Sequence, residues 1–584
     1  MPFPRLKRAF HRATGRSCRV WHHVAFQVPI AGAEQRLGID PRRSENVLTW
    51  LLALGVVGDE EVVQAPEASW EALQRVHDHD YLASLDDPAV VARILGVDAA
   101  LIATAPVLEL WRRGTGATVE GLQWAIGSSG CAINLGGGFH HAHRAAGTGF
   151  CGLNDIAVAI RVARMRGFTG KICIVDVDAH PPDGIADCID PERDGVRLVS
   201  VGVQSAWQTP DWVRDHRVAA GAGDGPYLEA IDAAIDDMGK PDVVMVLAGA
   251  DPLAGDRYGG LGCTPAGLEE RDARLRTAIG DRATVLMPAG GYTNRAWRAF
   301  ATSVAVFTDS AKRPSSDFDP LLNRTRRIAK TLEPESDGAR PWLTGADLAD
   351  ALGLPADESR FLGMYSEQGI AYALSRYGLL DTLTRMGFQD LRVALDTSKR
   401  PHLMRLTAQL GAERVLLFEL AAQLKRVEGL STVFIDWLTL RDPRVPFDPS
   451  KPRLPGQEAP GLGMGRQALA LILALGERAE QDAIAMVPSH YHVAWMVRKD
   501  FAFIDAEREG RFRALVEATH RQPLARVSER LGDGGITTEL DQVVRWDPGP
   551  MIWPLSEAAR ATLARRQPRA DAAQSALQDA ILPA

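Results

Sequence analysis

Short apolar runs recur between residues 131 and 291, separated by stretches with helical patterns, and they constrain the fold more than any other feature. The runs are CAINLGG, KICIVDVD, VRLVSVGV, PDVVMVLAGAD and TVLMPAGG. Runs that are apolar throughout are typical of strands buried on both faces, so this alternation predicts a parallel sheet with helices on both faces. The first part of the chain is therefore expected to be an α/β domain.

Polar residues follow most of these runs, always at the same end. They are His140 and His141 after the first run, Asp178 and His180 at the second, Asp251 at the fourth and Tyr292 after the fifth. In open parallel sheets the ligand crevice lies beyond the carboxyl ends of the strands. We therefore expect these side chains to converge, although they lie far apart in sequence.

Asp178-x-His180 has the spacing of two ligands of one metal. On an extended strand both side chains point to the same face, because side chains alternate with period two. Asp251 would add a second carboxylate from a neighbouring strand end. Two carboxylates and one imidazole leave an open position, as catalytic zinc requires. Each residue taken alone could equally cap a helix or pair with an arginine, so only the complete set indicates a metal site.

Four segments resemble the active-site segments of the histone deacetylase branch of the arginase and deacetylase superfamily, in that family's order. They are LGGGFHHAHRAAGTGFCGLNDIAVAI, IVDVDAHPPDG, LAGADPLAGDRYGG and PAGGYT. The resemblance covers approximately residues 20–310, and GGGFHHA together with Ala179 is most similar to class IV members. It implies an arginase/deacetylase-type parallel sheet and a metal-dependent amidohydrolase. Its substrate would be an acylated protein or a small acylated amine.

The resemblance also implies the roles of individual residues. The Zn²⁺ ligands would be Asp178, His180 and Asp251. The catalytic residues would be His141 as general base and acid, His140 as its electrostatic partner, Tyr292 as donor to the oxyanion, and Asp176 and Asp183 behind the imidazoles. The substrate-binding residues would be Gly138, Gly149, Phe150, Gly290 and Gly291. Backbone oxygens around Asp176, Asp178, His180 and Ser200 would hold a structural K⁺.

Two departures from the family pattern lie beside the predicted site. Pro181 and Pro182 replace a polar residue and a glycine; since proline fixes φ and lacks a donor, the loop that carries Asp183 is open to reshaping. Arginase-type relatives have a metal-binding aspartate at the position of Pro182, so one catalytic metal is favoured over two. The segment SVGVQSAWQTPDW lacks the phenylalanines of the opposite tunnel wall, where Trp207 is either a substitute or a packing residue.

The composition changes after residue 307. TDSAKRPSSDFDP and TLEPESDGARP are polar and contain proline, as linkers do. Further strand and helix patterns follow them. We expect the catalytic domain at residues 1–312, a linker at 313–340, a second α+β domain at 341–550 and a C-terminal tail at 551–584.

Three glycines precede an amphipathic helix pattern in the second domain. They are Gly461, Gly463 and Gly465 in EAPGLGMGRQALALILALGERAE. Backbone donors at such a turn could bind a pyrophosphate. The next segment, DAIAMVPSHYHVAWMVRKDFAFID, resembles the last strand, helix and strand of GNAT acetyltransferases, which makes acetyl-CoA a candidate ligand. A GNAT-like fold without a ligand and an unrelated fold are the alternatives.

Composition argues against several kinds of partner. A net charge of -8 gives no basic footprint for nucleic acid. The sequence has neither the apolar run of a signal peptide nor the about 18 apolar residues of a membrane span. Six cysteines without a CxxC pair fit a reducing cytoplasm. We therefore expect a cytoplasmic, zinc-dependent deacylase. The alternatives are a catalytically weak module that binds acylated ligands and a dinuclear ureohydrolase-like enzyme.

Overall fold

The computed structural model describes residues 17–27, 37–99, 102–332, 360–447, 452–537 and 543–578. The chain divides into two compact units, Met1–Asn323 and Arg324–Ala584. Each unit has a large sheet of its own. Within the described ranges, no helix is long and apolar enough to cross a membrane.

The first unit contains an eight-stranded parallel sheet. Its strands are β1 (Cys18–His22), β2 (Val62–Gln64), β3 (Cys131–Asn134), β4 (Ile172–Asp176), β5 (Val196–Val203), β6 (Val213–Val218), β7 (Val243–Leu247) and β8 (Ala283–Met287). Their order across the sheet is β2-β1-β3-β8-β7-β4-β5-β6. The five apolar runs correspond to β3, β4, β5, β7 and β8. Every residue of β3, β4, β7 and β8 is buried, as expected for strands covered on both faces.

Strands β1, β2 and β6 lie towards the two edges of this sheet, and the sequence patterns do not predict them. β2 has three residues, none of them buried. β6 has the sequence VRDHRV and is buried only at its two ends. Short or polar edge strands lack the continuous apolar run that marks a central parallel strand.

Helices form two separate layers around the sheet. They are α1 (Arg43–Ala53), α2 (Trp70–Leu73), α3 (His79–Ser84), α4 (Pro88–Leu95), α5 (Thr104–Ser128), α6 (Asp155–Met165), α7 (Asp183–Cys188), α8 (Pro191–Asp194), α9 (Asp224–Asp237), α10 (Pro265–Ile279) and α11 (Ala296–Phe307), with 3-10 turns at Val24–Phe26 and Asp59–Glu61. α5 packs against α6 and against strands β3 and β8, whereas α9, α10, α11 and α1 pack in succession, with α9 against β5 and β6. The predicted arginase/deacetylase-type α/β architecture is confirmed.

The second unit contains a mixed seven-stranded sheet and a small two-stranded sheet. Its strands are β9 (Gln389–Asp396), β10 (His402–Leu410), β11 (Glu413–Val427), β12 (Leu430–Leu440), β13 (Ala483–Met486), β14 (Ala502–Phe503), β15 (Ile536–Thr537), β16 (Val543–Val544) and β17 (Met551–Pro554). The large sheet has the order β14-β17-β13-β12-β11-β10-β9. β12 and β13 pair in parallel, and the other neighbours are antiparallel. β15 pairs with β16.

Helices accompany this mixed sheet, as predicted for an α+β domain. They are α12 (Pro320–Thr331), α13 (Glu367–Arg376), α14 (Leu379–Arg385), α15 (Gly465–Arg478), α16 (Tyr491–Val497), α17 (Ala506–Thr519), α18 (Leu524–Asp533) and α19 (Glu557–Gln578). Helix α15 joins β12 to β13, which is the connection that a parallel pair requires.

Regular structure occurs in the segments expected to be a linker and a tail. Helix α12 lies within the 313–340 segment expected to be a linker; residues 333–359 lie outside the described ranges. The 551–584 segment expected to be a tail supplies β17, which pairs with β13, and α19, which packs against α17. Gly510 permits that close packing, because a Cβ there would lie 2.4 Å from Ala570 O. The alanine-rich α19 has no marked apolar stripe, so its packing could not be predicted from its pattern.

Candidate active site

Three predicted metal ligands meet beyond the carboxyl ends of β4 and β7. Asp178 and His180 follow β4, and Asp251 follows β7. Their ligand atoms all lie within 4.8 Å of one another. His180 Nδ1 lies 3.0 Å from Asp178 Oδ1 and 2.9 Å from Asp251 Oδ2. The structure therefore brings together two carboxylates and one imidazole, although Asp178 and Asp251 are 73 positions apart in the sequence.

Both carboxylates of this cluster are fully buried. Asp178 and Asp251 have no exposed surface, whereas His180 is partly exposed. Two buried carboxylates side by side are costly unless a cation compensates their charge. Burial, reinforced by Asp178, raises the pKa of Asp251 to about 7. A dication fits this donor set, since an imidazole nitrogen and carboxylate oxygens are ligands that zinc takes in proteins.

Close backbone packing around the carboxylates depends on two glycines. A Cβ on Gly290 would lie 2.5 Å from Asp178 Oδ2, and one on Gly249 would lie 2.7 Å from the same oxygen. Gly290 N also donates to Asp178 Oδ2 at 2.6 Å. Any side chain at these positions would displace the carboxylate. Gly290 thus shapes the cluster of candidate metal ligands. Gly291, the next residue, has a φ of +139°.

His140 and His141 lie side by side, and each ring is bonded to its own carboxylate. Their ring centroids are 4.1 Å apart. His140 Nδ1 lies 2.8 Å from Asp176 Oδ2, and His141 Nδ1 lies 2.6 Å from Asp183 Oδ1. His140 Nε2 faces the metal cluster, 3.8 Å from Asp178 Oδ1. Carboxylates placed behind imidazoles fix the tautomer and the orientation of the ring.

The two histidines differ in charge at neutral pH. Burial opposes the charged form of His140, but Asp176 and Asp178 outweigh it and raise the pKa of His140 to about 9. Burial and the adjacent His140 lower the pKa of His141, although Asp183 opposes this. These shifts favour the charged form of His140 and the neutral form of His141. A neutral imidazole is the form that accepts a proton, so environments that separate two pKa values in this way distinguish the base from its partner.

Tyr292 follows β8 and is held in place through its backbone. Tyr292 N donates to Asp256 Oδ2 at 2.7 Å. The half-buried Arg43 guanidinium donates to Ala289 O at 2.9 Å and to Gly291 O at 3.4 Å. Burial raises the pKa of Tyr292, and Asp178 raises it further, so the hydroxyl stays protonated and can donate. Arg43 could not be identified from the sequence, because nothing local marks a contact with residues 246 and 248 positions away.

Gly138 and Gly149 have φ values of +93° and +54°. A Cβ on Gly138 would lie 2.8 Å from Ala289 N, and one on Gly149 would lie 2.6 Å from His141 Cδ2. The groups that approach these two glycines closely are therefore the segment before Tyr292 and the His141 imidazole. Both glycines contribute to the internal packing of the site.

Phe150 belongs to a group of three aromatic rings. Its ring centroid lies 5.4 Å from that of Tyr292 and 6.1 Å from that of Tyr258, and the two tyrosines meet edge to face at 4.8 Å. Trp207, the candidate for the wall opposite Phe150, instead packs beside Arg217, whose guanidinium lies 5.5 Å from its ring centroid. Tyr258 occupies the position next to Phe150. It lies in the same DPLAGDRYGG segment as Asp251, but only the fold shows its position.

A cavity of about 970 Å³, counted with its opening to solvent, lies beside the candidate site, although Asp178, His180 and Asp251 do not line it. His140, Phe150 and Tyr292 form part of its wall, and Trp111 and Leu135 add apolar surface. A largely apolar recess with a few convergent polar groups is the usual form of a small-molecule site.

The Pro181-Pro182 pair does not separate Asp183 from His141. Helix α7 begins at Asp183, directly after Pro182. Proline before a helix costs no hydrogen bond, because the first backbone N–H groups of a helix have no partner within it. The two prolines therefore do not break the contact that was in question, since Asp183 Oδ1 lies 2.6 Å from His141 Nδ1.

The glycine turn of the second unit leads directly into α15. Gly461 and Gly463 precede the helix, and Gly465 is its first residue. Gly463 has a φ of +71°, and a Cβ on Gly463 or Gly465 would meet open space. The turn follows β12, the strand that pairs in parallel with β13. None of the described residues fills the space beside these two glycines.

Comparison with known proteins identifies a histone deacetylase domain at residues 38–307. Histone deacetylase 2 of Arabidopsis thaliana is 29% identical over 299 residues, covering 48% of this chain and 76% of that protein. An uncharacterized protein of Picosynechococcus sp. is 35% identical over 265 residues, covering 43% of this chain and 84% of that protein. Histone deacetylase 8 of Xenopus tropicalis is 26% identical over 310 residues, covering 48% and 82%. The chain therefore belongs to the histone deacetylase family, through the domain at residues 38–307.

Proposed function

We propose that the first unit hydrolyses the amide bond of an acyl-lysine in a protein or of a small acylated amine. The family itself consists of metal-dependent amidohydrolases. The observation that carries the proposal is the pair of adjacent imidazoles, each bonded to its own carboxylate, beside the buried cluster of Asp178, His180 and Asp251. Amide hydrolysis needs such a base close to an electrophilic centre.

Asp178, His180 and Asp251 would hold one zinc ion. Such an ion polarises a carbonyl and lowers the pKa of water towards about 7. Three protein ligands leave one position open for water and substrate. The side chain of Pro182 has no ligand atom, which supports a single ion and disfavours a dinuclear ureohydrolase.

The other residues of the site move protons and stabilise charge. Neutral His141 takes the proton of the attacking water and returns it to the leaving amine. Cationic His140 remains beside it and stabilises negative charge in the transition state. The Tyr292 hydroxyl donates to the carbonyl oxygen as charge develops there, an interaction worth about 3 kcal/mol.

A structural K⁺ beside Asp176 is part of the proposal. Ser200 is paired in register with Asp176 on the neighbouring strand. Its hydroxyl is fully buried and has no hydrogen-bond partner among the described residues. A buried oxygen without a partner is costly, and a cation that also takes backbone oxygens at Asp176, Asp178 and His180 would satisfy it.

The rings of Phe150, Tyr258 and Tyr292 lie close together. We propose that they pack against a narrow alkyl chain next to the scissile amide, such as the chain of acyl-lysine. A module that only binds acylated ligands is the alternative. Incubation with an acetyl-lysine peptide and with a small acetylated amine separates the two functions. The hydrolase releases free acetate and free amine, both measured by mass spectrometry, whereas a binding module releases neither.

For the second unit we propose acyl-CoA binding at Gly461, Gly463 and Gly465 on a GNAT-like fold. Three features support it: the parallel β12–β13 pair, the helix α15 that connects these strands, and the open turn before that helix. Backbone N–H groups at a helix N-terminus attract phosphate.

We also propose that the protein works in the cytoplasm. All six cysteines are buried thiols, and none of them forms a disulfide within the described residues. Thiols in this number are typical of proteins from a reducing compartment.

A further inference from the structure

His143 lies two residues after His141 and faces two carboxylates. His143 Nε2 lies 3.7 Å from Asp183 Oδ2, and His143 Nδ1 lies 3.4 Å from Asp187 Oδ2. At 3.7 Å the first contact is an ion pair and not a hydrogen bond. Asp183 is the same carboxylate that bonds to His141. Two imidazoles therefore flank Asp183, one in the active site and one at its outer side.

The backbone at His143 is fixed from inside the protein by His77. His77 Nδ1 lies 2.9 Å from His143 O, and His77 Nε2 accepts from Asn154 N at 2.9 Å. Burial lowers the pKa of His77 to about 4, so the ring is neutral at physiological pH. Since Nε2 accepts, Nδ1 carries the proton and donates to His143 O. This bond holds the backbone from which the His143 side chain projects.

The loop around His143 also fixes the outer carboxylate. His143 N donates to Ala146 O at 2.8 Å, which closes a tight turn. Arg144 N donates to Asp187 Oδ2 at 2.9 Å. Asp187 is thereby placed beside the ring that it contacts. The backbone of His143 and its neighbour Asp187 are thus held by interactions that do not involve the His143 side chain.

Asp183 has different partners on its two oxygens. Oδ1 lies 2.6 Å from His141 Nδ1 and accepts from Gly184 N at 2.9 Å. Oδ2 faces His143. The two residues before Asp183 are prolines and have no backbone N–H with which to hold it. In this loop His143 is the basic side chain that faces Oδ2 of Asp183.

We propose that His143 is a positioning residue, whose imidazolium holds Asp183 in the orientation that bonds it to His141. This inference rests on the proposed function and adds a residue to it. Asp183 and Asp187 raise the pKa of His143, although partial burial opposes this effect. The raised pKa favours the cationic form of His143. The side chains of His143 and Asp183 are 32% and 27% exposed, so solvent weakens the pair and its effect on catalysis is moderate.

A double-mutant cycle tests whether His143 acts through Asp183. His143→Gln keeps a polar side chain but removes the charge, and it should lower kcat about fivefold to tenfold, in the range of lost outer partners of catalytic groups. KM and zinc content should stay at wild-type values. His143→Lys restores a cation and should recover kcat to within about twofold. In an Asp183→Asn background, His143→Gln should have no further effect, because coupled residues are not additive.

His216 offers a matched control. It is also a partly exposed histidine paired with an aspartate, since its Nε2 lies 3.1 Å from Asp237 Oδ2 on another side of the sheet. His216→Gln should leave kcat unchanged. A full additive loss in the double mutant, a wild-type kcat in His143→Gln, or equal losses in His143→Gln and His143→Lys would each overturn the inference.

Proton NMR gives a readout that does not depend on turnover. The Nδ1 proton of His141 in its 2.6 Å bond to Asp183 should give a downfield signal, identified by its loss in Asp183→Asn. His143→Gln should move this signal upfield or broaden it, and His216→Gln should not. An unchanged signal in His143→Gln would contradict the positioning role even in a chain without deacylase activity. Absence of activity in the wild type would contradict the proposed function alone.

Discussion

Asp183 Oδ1 lies 2.6 Å from His141 Nδ1 although Pro181 and Pro182 immediately precede Asp183. The neighbouring pair has the same arrangement, with Asp176 Oδ2 at 2.8 Å from His140 Nδ1. The two pairs differ in what else surrounds them. His140 also faces Asp178 and is cationic, whereas His141 lies beside that cation and is neutral. The charges around each ring favour His141 over His140 as the proposed general base.

Asp183→Asn should lower kcat about tenfold or more, because the amide no longer fixes the tautomer and orientation of His141. Zinc content should remain at the wild-type level, since Asp183 is not a ligand. Asp237→Asn, which alters the comparable His216 pair away from the site, is the control and should leave kcat unchanged. An activity of Asp183→Asn within twofold of wild type would show that another group orients His141.

Tyr292→Phe should reduce kcat about a hundredfold or more while zinc content and fold stay intact, because it removes one donor from the transition state. The buried hydroxyl of Tyr491, 3.0 Å from Thr519 Oγ1 in the second unit, provides a control. Tyr491→Phe should affect stability but not turnover. An unchanged kcat in Tyr292→Phe would remove this hydroxyl from the mechanism.

Stability should depend on pH through His77. Burial lowers the pKa of His77 to about 4 from its ordinary 6.5. Between pH 6.5 and 4 the unfolded chain therefore binds a proton at His77 that the folded chain does not bind. Stability should therefore fall as the pH decreases from about 6.5 to 4, by about 3 kcal/mol in total from this group. His77→Gln should be less stable at pH 7 and should show a shallower loss of stability between pH 6.5 and 4. Urea unfolding followed by tryptophan fluorescence measures both, and equal pH dependence in the two proteins would contradict the assignment.

Acetyl-CoA should raise the melting temperature of the full chain if the turn at Gly461, Gly463 and Gly465 binds its pyrophosphate, because a ligand of the folded state stabilises it by mass action. Gly463→Asp should abolish this shift, since it places bulk and negative charge where phosphate would lie. Gly411 also has a positive φ, and a Cβ there would likewise meet open space, so Gly411→Asp is the control that should keep the shift. No shift with millimolar acetyl-CoA or CoA in the wild type would refute acyl-CoA binding.

The central strands of the first sheet could be predicted because their burial is complete. β3, β4, β7 and β8 contain only buried residues, and Asn134, Asp176 and Thr284 are the polar ones among them. β6 could not be predicted from VRDHRV, since an edge strand needs no apolar run. β17 could not be separated from a tail, because its four residues, MIWP, become a strand only by pairing with β13. Pairing between segments that are distant in sequence leaves no local pattern.

Prediction of the site from the sequence has the same limit, because contacts between distant segments leave no local pattern. The Asp178-x-His180 spacing predicts shared ligation on an extended strand, although the two residues lie in a bend directly after β4. Arg43 donates to Ala289 O and Gly291 O, and Tyr258 packs beside Phe150. These contacts join segments that are distant in sequence and have no spacing rule. Tyr258 lies beside Phe150 and belongs to the DPLAGDRYGG segment, which also carries Asp251.

Zinc content measured together with turnover of an acetyl-lysine reporter tests the central claim most directly. Asp178, His180 and Asp251 form one cluster within 4.8 Å, so wild-type protein should contain one zinc per chain, and a strong chelator should remove its activity. Asp251→Ala and His180→Ala should each lose zinc and activity together, since each removes one of three protein ligands. Two metals per chain, or full activity in Asp251→Ala or after chelation, would contradict a mononuclear zinc-dependent deacylase.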